Sequence, residues 1–142
     1  MILNIAIGII LLLMTTAIHA GGMRMALHLV RKQEGPIKLQ WLRKTNIYLV
    51  SGIVLMMFLI SLTEVFIWAC AYLALNAIEG LERSLYFSMV TFTTLGYGDV
   101  LLDEHWRLLA SFEAANGIIM FGWTTAIIIA VVQRTYFRGQ KV

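Results

Sequence analysis

The segment Thr93–Asp99, with the sequence TTLGYGD, is the part of the chain whose residue types and spacing best suit a chemical task. It follows the unbroken run Glu82–Thr93, which as an α-helix would be about 18 Å long, roughly half the thickness of a bilayer core. The carbonyl end of such a helix carries partial negative charge and favours a cation. Non-helical backbone at membrane depth is tolerated only where protein or water satisfies its polar groups. The segment therefore predicts a cavity.

Other reactive side chains show no catalytic or metal-binding spacing. The single cysteine, Cys70, lies in an apolar run, so it forms neither an internal disulfide nor a CxxC site. The serines lack a nearby histidine in sequence, and the histidines are scattered at positions 19, 28 and 105. We therefore expect no enzyme activity and no cofactor, and nothing suggests a nucleic-acid partner.

The composition excludes an ordinary soluble domain. Of the 142 residues 60% are hydrophobic and 13% are charged, against about 25% charged in soluble proteins. The mean hydropathy is +0.81. The surrounding medium for most of the chain must be lipid.

Three apolar stretches are long enough to cross a membrane. They cover residues 1–23, 47–75 and 106–133. A fourth stretch, 81–102, is apolar but is broken by Gly96–Asp99. The pattern predicts an all-α membrane protein with a re-entrant helix at 82–93.

The basic residues indicate how the spans are oriented, because lysine and arginine accumulate in cytoplasmic loops. Nine of the eleven lie in residues 24–46 or in the tail 134–142. Both segments should be cytoplasmic, which requires an even number of crossings between them. Stretch 81–102 should therefore enter and leave on the outer face, with the N-terminus outside and the C-terminus inside.

Two features near the start of the chain have competing interpretations. Residues Met1–Ala20 could be a cleaved signal peptide, but no basic region precedes the apolar run and cleavage would invert the predicted topology. Residues Pro36–Asn46 alternate apolar and basic side chains, which suits either a short helix on the inner membrane surface or a plain solvated connector.

The TTLGYGD segment, placed after a half-membrane helix and between two spans, resembles the filter of bacterial-type potassium channels with two transmembrane helices and a pore loop. The resemblance covers the pore domain, residues 47–133, and implies an outer helix (47–75), a pore helix (82–93), a filter (94–98) and an inner helix (106–133). The span 1–23 is then an additional N-terminal helix, packed outside the core or merely assisting insertion.

The resemblance implies the role of each filter residue. The carbonyls of Thr94, Leu95, Gly96 and Tyr97, with the Thr94 hydroxyl, would replace the water shell of K⁺, as in the carbonyl-ring filters of this family. Gly96 and Gly98 would let the backbone alternate between opposite hands. Tyr97 would face away from the axis against the pore helix. Asp99 would add negative field at the outer mouth.

The chain also departs from the family pattern around the filter. Leu95 replaces a valine, which puts strict selectivity for K⁺ in question. Tyr86 and Phe87 stand where a tryptophan pair often supports the filter tyrosine. Val90 stands where some members have a glutamate that pairs with the filter aspartate, so Asp99 is expected to lack that partner.

The inner helix contains the expected positions for bending and for the cavity. Gly117 matches a glycine at which the family's inner helix bends. Five residues downstream follow one another at three- or four-residue spacing, so they share one helical face. This face would line the inner cavity or simply pack against the second span. Its residues are Ile118, Phe121, Thr125, Ile129 and, near the exit, Gln133.

Two carboxylates, Glu64 and Glu113, lie within predicted spans, where charge is costly and side chains must face protein or water. Glu113 could support the pore helix or act on the cavity. Glu64 could be its partner or could make another contact. A protonated, hydrogen-bonded carboxyl without a role in gating fits equally well.

One filter strand cannot enclose an ion, so the resemblance implies a homotetramer around a four-fold axis. The expected function is passive, K⁺-selective transport through a bacterial inner membrane. A weakly selective cation channel and a non-conducting regulatory subunit are the alternatives. Gating would come from the filter, Gly117, lipids, pH or a separate protein.

Overall fold

The computed structural model describes residues 2–32 and 42–136, without the side chains of 42–46, 135 and 136. The described chain is entirely helical apart from its connections. Its helices are α1 (Ile2–Lys32), α2 (Leu42–Ala74), α3 (Leu81–Phe92) and α4 (Arg107–Tyr136). Three of them are long and apolar enough to cross a membrane, over Ile2–Lys32, Ile47–Ala74 and Arg107–Arg134. The predicted fold class is confirmed.

Helix α3 begins and ends within one residue of the predicted pore helix, because Gly80 and the break after Phe92 bound it clearly. The other helices are longer than predicted. Helix α1 continues nine residues past Met23 to Lys32, because residues 24–32 contain no glycine or proline and are compatible with a helix outside the hydrocarbon. Helix α2 starts at Leu42. Segment Pro36–Asn46, for which the sequence allows a surface helix or a solvated connector, lies outside the described residues except for its last five, which begin α2.

Helix α1 is an integral part of the bundle and packs against both α2 and α4. Its buried face repeats every three or four residues and comprises Asn4, Gly8, Leu11, Thr15, His19, Gly22, Ala26 and Val30. A Cβ atom at Gly22 would lie 2.0 Å from Ile60 Cδ1, so the contact with α2 is close. The helix therefore does more than lie loosely outside the core.

Two apolar clusters hold the four helices together. The larger includes Trp68 and Tyr72 of α2, Phe92 of α3 and Met120 of α4, all fully buried. The smaller cluster joins Ala26, Ile53 and Val131. These residues lie near the end of α1, the start of α2 and the end of α4, respectively. Because α3 packs against α2 and α4, the segment after Phe92 has a fixed starting point.

Candidate functional site

The backbone φ angle alternates between positive and negative values from Thr94 to Gly98. We refer to residues 94–98 as the filter strand, although they form no β-sheet. The φ angles are +60° at Thr94, +57° at Gly96 and +78° at Gly98, whereas Leu95 and Tyr97 lack positive φ. Such alternation turns successive carbonyls toward one side of the strand. Positive φ is easy for glycine but costs an ordinary residue about 1–2 kcal/mol, and Thr94 bears that cost.

Hydrogen bonds attach the start of this strand to the end of α3. The Leu95 and Gly96 amides both donate to the Val90 carbonyl, at 3.0 and 3.4 Å, and the Thr94 amide donates to the Thr91 carbonyl at 2.9 Å. Among the described residues, no donor reaches the carbonyl oxygens of Thr94, Leu95, Gly96 or Tyr97. Four successive carbonyls are therefore free to bind another partner.

The side chains of this strand are not covered by their own chain. Leu95 is 58% exposed and Tyr97 is 67% exposed. The sequence predicts that Tyr97 packs against the pore helix, but within one chain it is not buried against α3. Within one chain the strand is a surface that needs further protein around it.

Asp99 has a partner that the sequence did not indicate. The Tyr86 hydroxyl donates to Asp99 Oδ2 at 2.7 Å, and the Val100 amide donates to Oδ1 at 3.1 Å. Val90 supplies no partner to Asp99, as expected, and a phenol that the sequence did not indicate binds this carboxylate instead. Tyr86 lies one helical turn before the buried Val90 in α3.

The two aromatic residues predicted to support the filter have different positions. Tyr86 is 41% exposed and reaches Asp99. Phe87 is buried and packs edge-on against Tyr72 of α2, with ring centroids 5.2 Å apart. A cavity of about 240 Å³ between α3, the strand and the start of α4 is lined by Tyr86, Phe87, Val90 and Asp99, among others.

Gly117 lies where α4 passes the end of α3. A Cβ atom at this position would be 1.9 Å from the Phe92 carbonyl oxygen, and α4 continues as a helix through Gly117. The structure thus gives this glycine a packing role, whereas the sequence suggested only a hinge.

The predicted cavity face of α4 is exposed in the protomer. Ile118, Phe121 and Ile129 are 63%, 40% and 51% exposed, and Thr125 and Gln133 are also exposed. The alternative that this face is covered by α2 does not fit the structure. We refer to these five residues as the exposed stripe of α4.

Comparison with known families supports the interpretation of this geometry. A family model described as "Ion channel" matches residues 58–134, which is more than half of the 142-residue chain. The chain belongs to this ion channel family. Neither the comparison with curated proteins nor that with solved structures gives a match. The family assignment and three apolar helices make it a multi-pass membrane protein.

Glu113 of the channel joins three helices. Its carboxyl group is fully buried in α4, accepts a hydrogen bond from the Tyr72 hydroxyl of α2 at 2.7 Å, and lies 2.5 Å from Ser88 Oγ of α3. Ser88 Oγ is also 2.8 Å from the Val65 carbonyl of α2. The group is therefore placed to hold the pore helix, as the sequence suggested.

Glu64 does not pair with Glu113, and of the two alternatives that the sequence left open the structure shows the other contact. Its Oε1 lies 2.9 Å from His19 Nδ1 of α1, and both side chains are fully buried. Sequence reasoning left His19 without a role because its partners lie 45 and 105 residues away. The available signal was the recurrence of Asn4, Thr15 and His19 on one face of an apolar helix.

The Tyr86 hydroxyl is the main reason why the pKa of Asp99 lies below its ordinary value, with backbone donors adding to the effect. The carboxylate therefore stays charged above that lowered pKa, and its charge is lost only as pH falls through it. We expect Tyr86→Phe to raise the pKa of Asp99, so that acid changes the ion flux of the channel at a higher pH than in the parent.

Flux measured between about pH 3 and 6, around the ordinary aspartate pKa, tests this expectation. Tyr48→Phe is a matched control, because Tyr48 is 77% exposed and lies far from Asp99 in α2. Superimposable acid profiles for Tyr86→Phe and the parent channel would show that the hydrogen bond does not control this charge.

Proposed function

We propose that the channel conducts K⁺ selectively through a filter formed by the carbonyls of Thr94, Leu95, Gly96 and Tyr97 and the Thr94 hydroxyl. The observation that carries this proposal is the alternating backbone, which leaves four consecutive carbonyls without internal donors. A dehydrated cation needs such oxygens in place of its water shell. K⁺ is the permeant ion and no cofactor takes part.

The working form we propose is a homotetramer. One strand supplies one oxygen to each level of a ring, and several copies are needed to surround an ion. Support comes from two surfaces that a single chain leaves exposed, the filter strand and the exposed stripe of α4. In the assembly the first would face the axis and the second would line the cavity below it, with Gln133 near the cytoplasmic exit.

The proposed orientation places the N-terminus outside and the C-terminus inside the bacterial inner membrane. Arg31 and Lys32 at the end of α1 and Arg134 near the end of α4 support it, because basic residues favour the cytoplasmic side. Asp99 then lies at the outer mouth. Transport is passive and needs no catalytic group; membrane lipids surround the channel, and a separate protein is one source of gating.

Ion-selective flux by the purified protein in lipid vesicles tests the proposal. We expect uptake of the K⁺ analogue Rb⁺ and a reversal potential that follows the K⁺ gradient when Na⁺ is on the opposite side. Equal reversal potentials in K⁺ and Na⁺ would instead support a weakly selective channel, consistent with Leu95 in the filter. Absence of Rb⁺ uptake by protein confirmed to be tetrameric would support a non-conducting subunit.

A further inference from the structure

A buried polar junction connects α1 to both α2 and α4 at His19. The histidine is fully buried. Its Nδ1 atom lies 2.9 Å from Glu64 Oε1 of α2, and its Nε2 atom lies 3.3 Å from Thr124 Oγ1 of α4. The Trp123 ring covers one side, with ring centroids 6.1 Å apart. Both imidazole nitrogens are therefore engaged, each by a different helix.

The junction contains a carboxylate oxygen that is free to accept a proton. Glu64 is fully buried, and its second oxygen, Oε2, has no hydrogen-bond partner among the described residues. A buried carboxyl oxygen without a donor is costly in an apolar wall. Protonation there removes the charge, and protonation of the imidazole adds one. Ionisable groups inside a membrane bundle point to function by default.

Among the side chains that the structure describes, no other charged group faces the junction from the helices packed around it. Helix α1 contacts only α2 and α4 among the described helices. On α4, Glu113 lies about 16 Å along the helix from Thr124 and is engaged by Tyr72 and Ser88. On α1, Arg24 is exposed and five residues away from His19. His19 and Glu64 therefore form a pair of their own.

The junction contacts the helix that carries the exposed stripe. Thr124 directly precedes Thr125, a member of the exposed stripe of α4. Each proton that binds makes the junction one unit more positive. Positive charge beside a narrow, low-dielectric cavity lowers the local concentration of cations.

We propose that His19 and Glu64 form a proton-binding site in the wall between α1 and the inner helix, through which acid reduces cation flux. This inference rests on the proposed channel function. It also assigns a role to the additional N-terminal helix, which supplies one half of the site.

Flux at different pH values in reconstituted full-length channel tests the coupling. Between pH 8 and 5.5, where histidine ordinarily titrates, we expect flux to fall by about threefold. In His19→Gln, which replaces the imidazole with an amide that does not titrate, flux should change by less than about 1.5-fold. His28→Gln on the exposed side of α1 and Glu113→Gln in α4 should keep the parent profile.

A second measurement detects the proton itself and does not need conduction. Nitrogen NMR of histidine-labelled protein in lipid should show a ring signal that is absent in His19→Gln and that titrates in the wild type. Its midpoint should move in Glu64→Gln. A His19 signal that does not titrate, or a midpoint unchanged in Glu64→Gln, would overturn the proton site.

The two measurements separate the possible failures. A titrating His19 with a pH-independent wild-type flux, or with His19→Gln matching the wild-type profile, would overturn the coupling to conduction. Loss of pH dependence in Glu113→Gln but not in His19→Gln would also overturn it, and would assign the effect to the other buried carboxyl. Absence of any flux would count against the proposed function, while NMR would still decide whether protons bind at His19.

Discussion

Gly96→Ala should reduce K⁺ flux by about a hundredfold or more per assembled channel. The φ angle at Gly96 is +57°, and holding alanine there costs about 1–2 kcal/mol in each chain. Four copies around one axis would together cost about 4–8 kcal/mol, and each 1.4 kcal/mol corresponds to a factor of ten. Rotation of the peptide to negative φ relieves this cost, but it turns a carbonyl away from the axis.

The loss at Gly96 is conformational, because nothing lies within 4 Å of the position that its Cβ would take. Gly80→Ala is the matched control: Gly80 also has a positive φ, +86°, and open space, but it precedes α3 and lies outside the filter. We expect the control to lower stability and to retain K⁺-selective flux in the channels that assemble. Rb⁺ uptake, normalised to the amount of assembled channel, measures the flux of both variants. Parent-level uptake by Gly96→Ala would contradict a carbonyl filter.

The sequence predicts the three long apolar helices and the short helix α3 well, because these depend on composition and on local breaks. Apolar runs of about 20 residues identify spans, and Gly80 and the TTLGYGD segment bound α3 to within one residue. The end of α1 is harder to predict. Residues 24–32 are basic enough to mark the edge of the membrane and are still compatible with a helix, so charge indicates the interface and not the helix end.

The side-chain partners could not be predicted, because they depend on how the helices are arranged in space. Glu64 and His19 meet only because α1 lies against α2, and no local pattern gives the rotation of one helix about another. Tyr86 and Asp99 are 13 residues apart, on opposite sides of a turn. The sequence identified costly buried groups but not their neighbours.

Gly117→Ala should damage the channel through packing. The added Cβ would lie 1.9 Å from the Phe92 carbonyl oxygen, where ordinary contacts exceed 3.4 Å, and the neighbour is backbone that cannot rotate away. Overpacking of this kind costs about 1–3 kcal/mol per chain. Because Phe92 ends α3 two residues before Thr94, the displacement passes directly to the filter. We therefore expect a less stable protein and a K⁺ flux reduced by about tenfold or more.

Gly52→Ala separates this effect from the general consequence of adding a methyl group to a helix. Gly52 lies in α2 with nothing within 4 Å of the same position, so alanine should stabilise the helix by about 0.5–1 kcal/mol and leave flux unchanged. Thermal unfolding in detergent and Rb⁺ uptake in vesicles measure the two quantities together. If Gly117→Ala resembled Gly52→Ala in stability but changed only the rates of opening and closing, Gly117 would act as a hinge and not as the contact between the inner helix and the pore helix.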